Sequence, residues 1–516
     1  MQILYSGNVP APTRVALIVP RWTEEHEVEP QGVPFRSFTL GAAFLAAGID
    51  VVFFDQEHDL DRQDRFDEFV DSMRSAVAAF FWLNELYPSN QCHNSMRMAT
   101  RLRSALSTLK LVLGGEFISI CPPDFFDIDL PMDFVLRGYG EETTLRLVDC
   151  LAASAGPQDM SDIPGLVWRD AAGVLRHQEA TSRPKFKPHY LELYRRVDLR
   201  PYIQKGGVFG NDQPTLTLAP GRGCTKGCAF CAWSQHPASI LDARVTFDLL
   251  VHLRERYGVR QFHFGELDFF MSRQRALELA TLIRDAQSDI VWFALGSPID
   301  LVDLQDEDWD LLHAGGLRKV EMGSESASAR VLELIGKKHA PQDIFEVSKK
   351  MLVRGIVPMN NFLFGFPGET RDDRQATLAM IEALARESPT GNHFTYRYYQ
   401  PTWDTPLGRT ALASAPDRPR RLDAWLAERP FFIDEGVRTL PWLPEEDERE
   451  VKQLINHDLP LATSRLELQS AWRQAVYQRL RARARSSVAR GRTTARVDRW
   501  LFERAIRSRL DQTYVR

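Results

Sequence analysis

Cysteine is scarce in this chain, with six in 516 residues, so a disulfide framework is excluded as the source of its stability. Long apolar runs are missing as well. No segment reaches the length of a membrane span, and the stretch "MQILYSGNVPAPTRVALIVPRW" lacks the basic start, apolar core and small-residue cleavage site of a signal peptide. The expectation is a cytoplasmic protein with no membrane partner. Neither sign of charge dominates: 64 Lys and Arg against 69 Asp and Glu leave a formal net charge of −5. That balance gives no whole-protein attraction to nucleic acid, and none is expected as a partner. The length exceeds what one hydrophobic core supports, so two or three domains are expected.

What cysteine there is sits unevenly. The stretch "LAPGRGCTKGCAFCAWSQ" carries Cys224, Cys228 and Cys231, while Cys92, Cys121 and Cys150 stand alone and read as small buried hydrophobes. Three thiolates on a short loop whose glycines, Gly221, Gly223 and Gly227, permit unusual backbone angles are able to converge on one metal centre. Two centres suit them. A structural zinc would take His236 as a fourth ligand, whereas a [4Fe-4S] cluster held by three cysteines leaves one iron open for chemistry.

The surroundings favour the cluster. From about residue 14, apolar runs such as "RVALIVP", "DVVFFD", "VAAFFWL", "KLVLGG" and "DFVLRG" alternate with helical segments, including one from about Asn94 to Leu109. This is the pattern of a doubly wound α/β domain, here 1–154, whose ligands bind outside the carboxyl ends of its strands. A Pro- and Gly-punctuated connector with a hairpin follows over 155–214. The alternation then restarts in "TLTLAP", "QFHFGEL", "IVWFALG", "KVEMGSE", "PMNNFLFGF" and "HFTYRYYQ", six strand and helix units that predict a partial (β/α)6 TIM-like barrel over 215–414. Cys224, Glu266, Asp268, Ser297, Glu325, Ser326 and Gly365 all fall at its strand ends, where such barrels carry their chemistry. Residues 415–516 read as a helical region with an Arg-rich end.

"CTKGCAFC" has the C-x3-C-x2-C form of the radical S-adenosylmethionine (SAM) enzymes, which residues 215–400 resemble in several motifs. The resemblance implies a [4Fe-4S] cluster on Cys224, Cys228 and Cys231. It further implies SAM bound by Glu266 or Asp268 of "FGELDFF" at its amino group and by Ser297 after the third strand. Glu325 and Ser326 of "EMGSESASARVLELIGKK" would lie near the ribose. The backbone beside Phe230, with Gly365 and Gly368 of "FLFGFPGET", would lie near the adenine. Ahead of the barrel, "LGGEFIS", "MDFVLRGYGEETTLRLVD" and "DIPGLVWRD" resemble the cobalamin-binding domain and connector of the cobalamin-dependent (class B) radical SAM enzymes. Trp82, Asn84, Gly114, Gly115, Arg137, Gly138 and Glu141 would then approach the corrin. The D-x-H-x-x-G motif of other cobalamin domains is absent, His26 having the wrong spacing.

The class implies a 5'-deoxyadenosyl radical that takes hydrogen from an unactivated carbon of a small metabolite or peptide, and methylcobalamin that supplies a methyl group there. An external electron donor of the flavodoxin or ferredoxin type would reduce the cluster. Tyr396, Tyr398, Tyr399 and Trp403 are candidate pocket residues, with barrel packing as the alternative. Radical rearrangement, ring contraction or cyclisation with the same cofactors, a first domain without cobalamin, and a zinc-stabilised binding protein remain alternatives.

Overall fold

The computed structural model describes residues 1–7, 13–21, 32–59, 63–84, 89–153, 160–180, 185–205, 213–235, 237–388, 391–414, 421–428, 440–463, 471–490 and 500. His26 and His236 lie outside the described residues, as do 491–499 and 501–516 of the Arg-rich end.

The N-terminal sheet contains β1 (Gln2–Leu4), β2 (Arg14–Val19), β3 (Asp50–Asp55), β4 (Ala78–Leu83), β5 (Lys110–Gly115), β6 (Phe134–Leu136), β7 (Leu166–Arg169) and β8 (Leu175–His177). Its order is β1-β3-β2-β4-β5-β6-β7-β8. The five strands from β3 to β6 in that order run parallel. β3 and β4 are buried at every position, as a strand covered on both faces must be. The chain order reverses between β2 and β4, which places a crevice at their carboxyl ends. The hairpin expected in the connector is β7–β8, and it extends this sheet antiparallel to β6. β1 is an antiparallel edge strand on β3 that the sequence pattern did not announce.

The second sheet is all parallel: β9 (Thr215–Leu218), β12 (Gln261–Phe264), β13 (Val291–Gly296), β14 (Leu317–Glu325), β15 (Val357–Phe364) and β16 (His393–Tyr398), joined in that order with β9 and β16 at the two edges. This is the open six-unit barrel. Between β9 and β12 a ribbon of β10 (Gly221–Arg222) and β11 (Ser239–Ile240) brackets the cysteine loop. Helices cover the outer face, where Leu216, Phe262, Phe264, Trp292, Val320 and Met322 have no exposed surface.

The C-terminal helices close one flank. Helix Ala471–Ala489 buries Tyr477, Leu480, Ala484 and Val488, a stripe at helical spacing, against Phe362, Phe364, Leu378 and Ile381 of the barrel. The two α/β units also touch through charge. Glu141, opening helix Glu141–Ala152, forms a buried ion pair with Arg222 of β10, whose guanidinium lies 4.0 Å from the Tyr139 ring centre. Tyr202 donates to the buried Asp55 carboxylate at 2.6 Å. Among the described residues no helix is long and apolar enough to cross a membrane.

Candidate active site

The cysteine loop leaves β10 through Gly223 and turns again at Gly227, both at positive φ (73° and 69°) that a side chain would resist. Two backbone bonds strap it to the barrel: the Ala229 amide donates to Ile335 O at 2.9 Å, and the Leu407 amide donates to Ala229 O at 3.0 Å. A third tie reaches the N-terminal domain, where Arg36, ion-paired with Glu116, lies over Trp233 at 5.1 Å. Cys228 is buried, and Cys224 and Cys231 are half-buried. Burial raises all three thiols, Cys231 to about 12, and each sits within the field of another. Such thiols ionise when a metal takes their protons. Three sulfur donors on one loop fit an iron–sulfur cluster with an open iron. Among the described residues no three His, Cys, Asp or Glu side chains form a single-ion site.

Of the two acids after β12, the structure separates the roles. Glu266 is buried and held by both guanidinium nitrogens of Arg275, at 3.1 and 2.5 Å, so its carboxylate is spent inside the protein. Asp268 is equally buried, yet neither of its oxygens receives a hydrogen bond. Lys226 stands 3.8 Å away and pairs with Asp300. Burial, with Asp300 beside it, pushes the Asp268 carboxyl up to about 8. A buried carboxylate left without a hydrogen bond beside the cysteine loop fits a cationic ligand group. The Ser297 hydroxyl, at the end of β13, is likewise buried without a partner.

The end of β14 carries a feature the sequence reading passed over. Glu325 has φ +57°, a left-handed backbone outside glycine's range of comfort, and β14 slips register against β15 there. Its carboxylate meets Lys337 at 3.2 Å, and the same ammonium donates to Gly323 O at 2.9 Å. Burial opposes the Lys337 charge, but Glu325 and Cys228 outweigh it and raise its pKa. Ser326 turns the other way. Its hydroxyl bonds Thr377 at 3.0 Å and accepts from the Ser328 amide at 3.1 Å, so it braces the strand-to-helix corner.

Gly365, expected near adenine, is covered by the chain itself. Its amide donates to Glu369 at 2.6 Å, its carbonyl accepts from Trp442 at 2.7 Å, and a Cβ would meet Leu440 at 3.3 Å. Gly368 has φ +81° with open space around it, and its carbonyl accepts from Arg330 at 2.7 Å. The Phe230 ring packs edge-on against Phe366 at 5.7 Å.

Strand parity decides the barrel interior. With one set of alternate residues sealed under helices, the other faces the lumen: Thr217, His263, Leu295, Glu321, Asn361 and Thr395, all half-buried. Asn361 donates to Glu321 at 2.5 Å and accepts from Thr395. His263 stacks on Phe293 at 4.6 Å, is pushed down to about 4 by burial and then by Lys319, and keeps a buried Nε2 without a partner. Barrels ordinarily fill this space with branched apolar side chains; here Phe293, Leu295, Met359 and Leu363 share the face with a polar patch of Glu321, Asn361 and Thr395. Tyr396 and Tyr398 have the opposite parity. Their hydroxyls donate to Thr463 (3.1 Å) and Lys452 O (3.4 Å) in the C-terminal helices, so they are packing residues and not pocket walls. Tyr399 is buried between Phe366 and Trp442. Trp403 packs on Phe117 and Phe125 of the first domain.

In that domain most of the seven named residues turn out to serve its own packing. Trp82 is buried between Gly114 and Gly140: a Cβ on either glycine would lie 2.1 or 2.4 Å from the indole. Gly115 has φ +116° because its backbone abuts that of Leu83. Asn84 is buried and knots Ser37 to Trp82 O. Gly138, φ +96°, exchanges hydrogen bonds with Ser119. Glu141 holds Arg222. Arg137, just past β6, differs: its Nε and Nη1 are buried with no hydrogen-bond partner, though Glu179 and then Cys121 and Asp404 act on its charge. A guanidinium with hydrogen bonds unmade at the carboxyl edge of a doubly wound sheet fits a ligand rich in carbonyl acceptors, as a corrin with its amide arms is.

Residues 218–381 match the model of the radical SAM superfamily. The fold over most of the chain resembles that of solved cobalamin-dependent radical SAM enzymes. It is similar to a TsrM structure from Kitasatospora setae, a radical SAM methyltransferase with cobalamin and a [4Fe-4S] cluster bound, with a TM-score of 0.59 and 20% identity over 78% of this chain and 79% of that one. It is 24% identical over 403 residues to the cobalamin-dependent radical SAM methyltransferase TokK of Streptomyces tokunonensis, covering 73% of this chain and 51% of TokK. An uncharacterised methyltransferase of Pyrococcus horikoshii is 27% identical over 282 residues, 53% of this chain and 58% of that protein. The chain thus spans between half and three-fifths of the length of these two relatives.

Proposed function

We propose that this chain is a cobalamin-dependent radical SAM methyltransferase that methylates an unactivated carbon of a polar small metabolite or peptide. The observation that carries the reading is the cysteine loop at the mouth of the open barrel, with Asp268 beside it, buried without a hydrogen bond and with Lys226 at 3.8 Å, and a doubly wound domain packed on it. Bound there, the cluster and SAM would supply a 5'-deoxyadenosyl radical, and cobalamin a methyl group.

The chain's own residues would do the positioning. Cys224, Cys228 and Cys231 hold the iron, Asp268 takes the ligand's ammonium, and the Ser297 hydroxyl offers a hydrogen bond beside it. The Arg222–Glu141 pair and the Arg36 guanidinium over Trp233 hold the first domain on the cysteine loop. Arg137 offers its two unpartnered nitrogens to the corrin. Glu321, Asn361 and Thr395 give the lumen a hydrogen-bonding wall that suits a polar substrate. The reading includes a cytoplasmic setting and a low-potential donor of the flavodoxin or ferredoxin type.

The test is product analysis on anaerobically reconstituted protein with reductant and SAM. The reading expects 5'-deoxyadenosine together with S-adenosylhomocysteine, the latter requiring added cobalamin. Deoxyadenosine alone would remove methyl transfer and leave a radical enzyme of another kind.

A further inference from the structure

We propose that Lys337 is a positioning residue of the cysteine site, a fixed positive charge that, balanced by Glu325, sets the reduction potential of the cluster held there. This rests on the cluster reading above.

The ammonium is placed by construction. It is held between Gly323 O at 2.9 Å and Glu325 at 3.2 Å in a buried position, and all three cysteine thiols lie within its field. The residues on either side of the pair are shaped to it. A Cβ on Gly323 would sit 2.8 Å from the Glu325 carboxylate and 2.9 Å from the Lys337 ammonium, so a larger residue there would displace the pair. Glu325 accepts the left-handed backbone that delivers its carboxylate. Lys337 follows Ile335, which is bonded to Ala229, and Gly336, whose own Cβ would meet Cys228 Cα at 3.7 Å, so lysine and cysteine loop are tied as one piece.

Stability does not account for this arrangement, since a buried ion pair is a weak source of it. Charge does. A cluster that takes one electron from a low-potential donor becomes more negative by one unit, with no bond made and no proton moved. A cation at fixed short range favours that reduced form, and the anion paired with it opposes it.

The experiment is an anaerobic redox titration, followed by electron paramagnetic resonance, of the reconstituted full chain without SAM, with iron counted in each sample. Lys337→Gln should shift the midpoint to more negative potential, because Glu325 is left unbalanced. Glu325→Gln should shift it to more positive potential. The double variant should return toward wild type, and Lys337→Arg should match it. Should Lys337→Gln fail to load iron, Glu325→Gln carries the test alone. Iron-loaded single variants with unchanged midpoints, or midpoints moved in the same direction, would overturn the proposal. Wild type without iron would overturn the cluster reading, and this inference with it.

Discussion

Two buried acids two residues apart in the same loop, Glu266 and Asp268, are assigned opposite work, and substitution separates them. Asp268→Asn should weaken SAM binding to the cluster-loaded protein tenfold or more, a loss of at least about 1.4 kcal/mol, with little change in melting temperature. Glu266→Gln leaves Arg275 buried without its counter-charge and should cost about 3–5 kcal/mol of stability. Calorimetric titration and thermal unfolding read the two effects. The raised carboxyl of Asp268 adds a pH dependence. Below about pH 8 it is protonated and holds no ammonium, so SAM affinity should climb as pH rises toward 8 and lose that slope in Asp268→Asn. In the ligand-free fold the sign is reversed. A carboxyl whose pKa is raised by folding contributes stability that is fully present below its unfolded pKa and is lost as pH rises through about 8.

At the scale of strands and loops, Gly114 illustrates how a residue chosen for one reason serves another. Its smallness suggested close approach to a corrin, but the space above it belongs to Trp82. Gly114→Ala should therefore destabilise the fold by about 1–3 kcal/mol through overpacking, and most of that loss should vanish in a Trp82→Leu background. Chemical denaturation of the two variants and their combination measures it. Period and spacing announced the parallel strands of both sheets and the cysteine loop, because continuous apolar runs and clustered thiols are local features. What escaped was what depends on neighbours. The tyrosines of β16 were legible as a strand, but which parity faces the lumen is set by the helices packed outside, and that put Thr395 inward and Tyr396 outward. Lys337 stood at the end of "EMGSESASARVLELIGKK" with no role legible there, because its place beside Cys228 comes from the turn at Gly336. Ser326 and Gly365 sat at the right strand ends, yet their polar groups are satisfied by Thr377, Glu369 and Trp442.

For the whole molecule the account requires two α/β units held face to face. The Arg222–Glu141 pair is one tie between them, with both side chains almost wholly out of solvent. Arg222→Met strands Glu141 as an uncompensated buried charge and should cost about 3–5 kcal/mol, whereas joint replacement of both residues by apolar side chains should cost far less. Limited proteolysis between the units, faster in the single variant than in the double, would show the same ordering.

The central claim, two cofactors in one chain, is tested most directly by anaerobic reconstitution with iron, sulfide and hydroxocobalamin, followed by the visible spectrum and a metal count on wild type and Cys228→Ala. The account predicts iron near four and cobalt near one per chain, with iron lost and cobalt kept in the variant. Iron without cobalt would contradict the role given to the first domain, and zinc in place of both would contradict the catalytic account altogether.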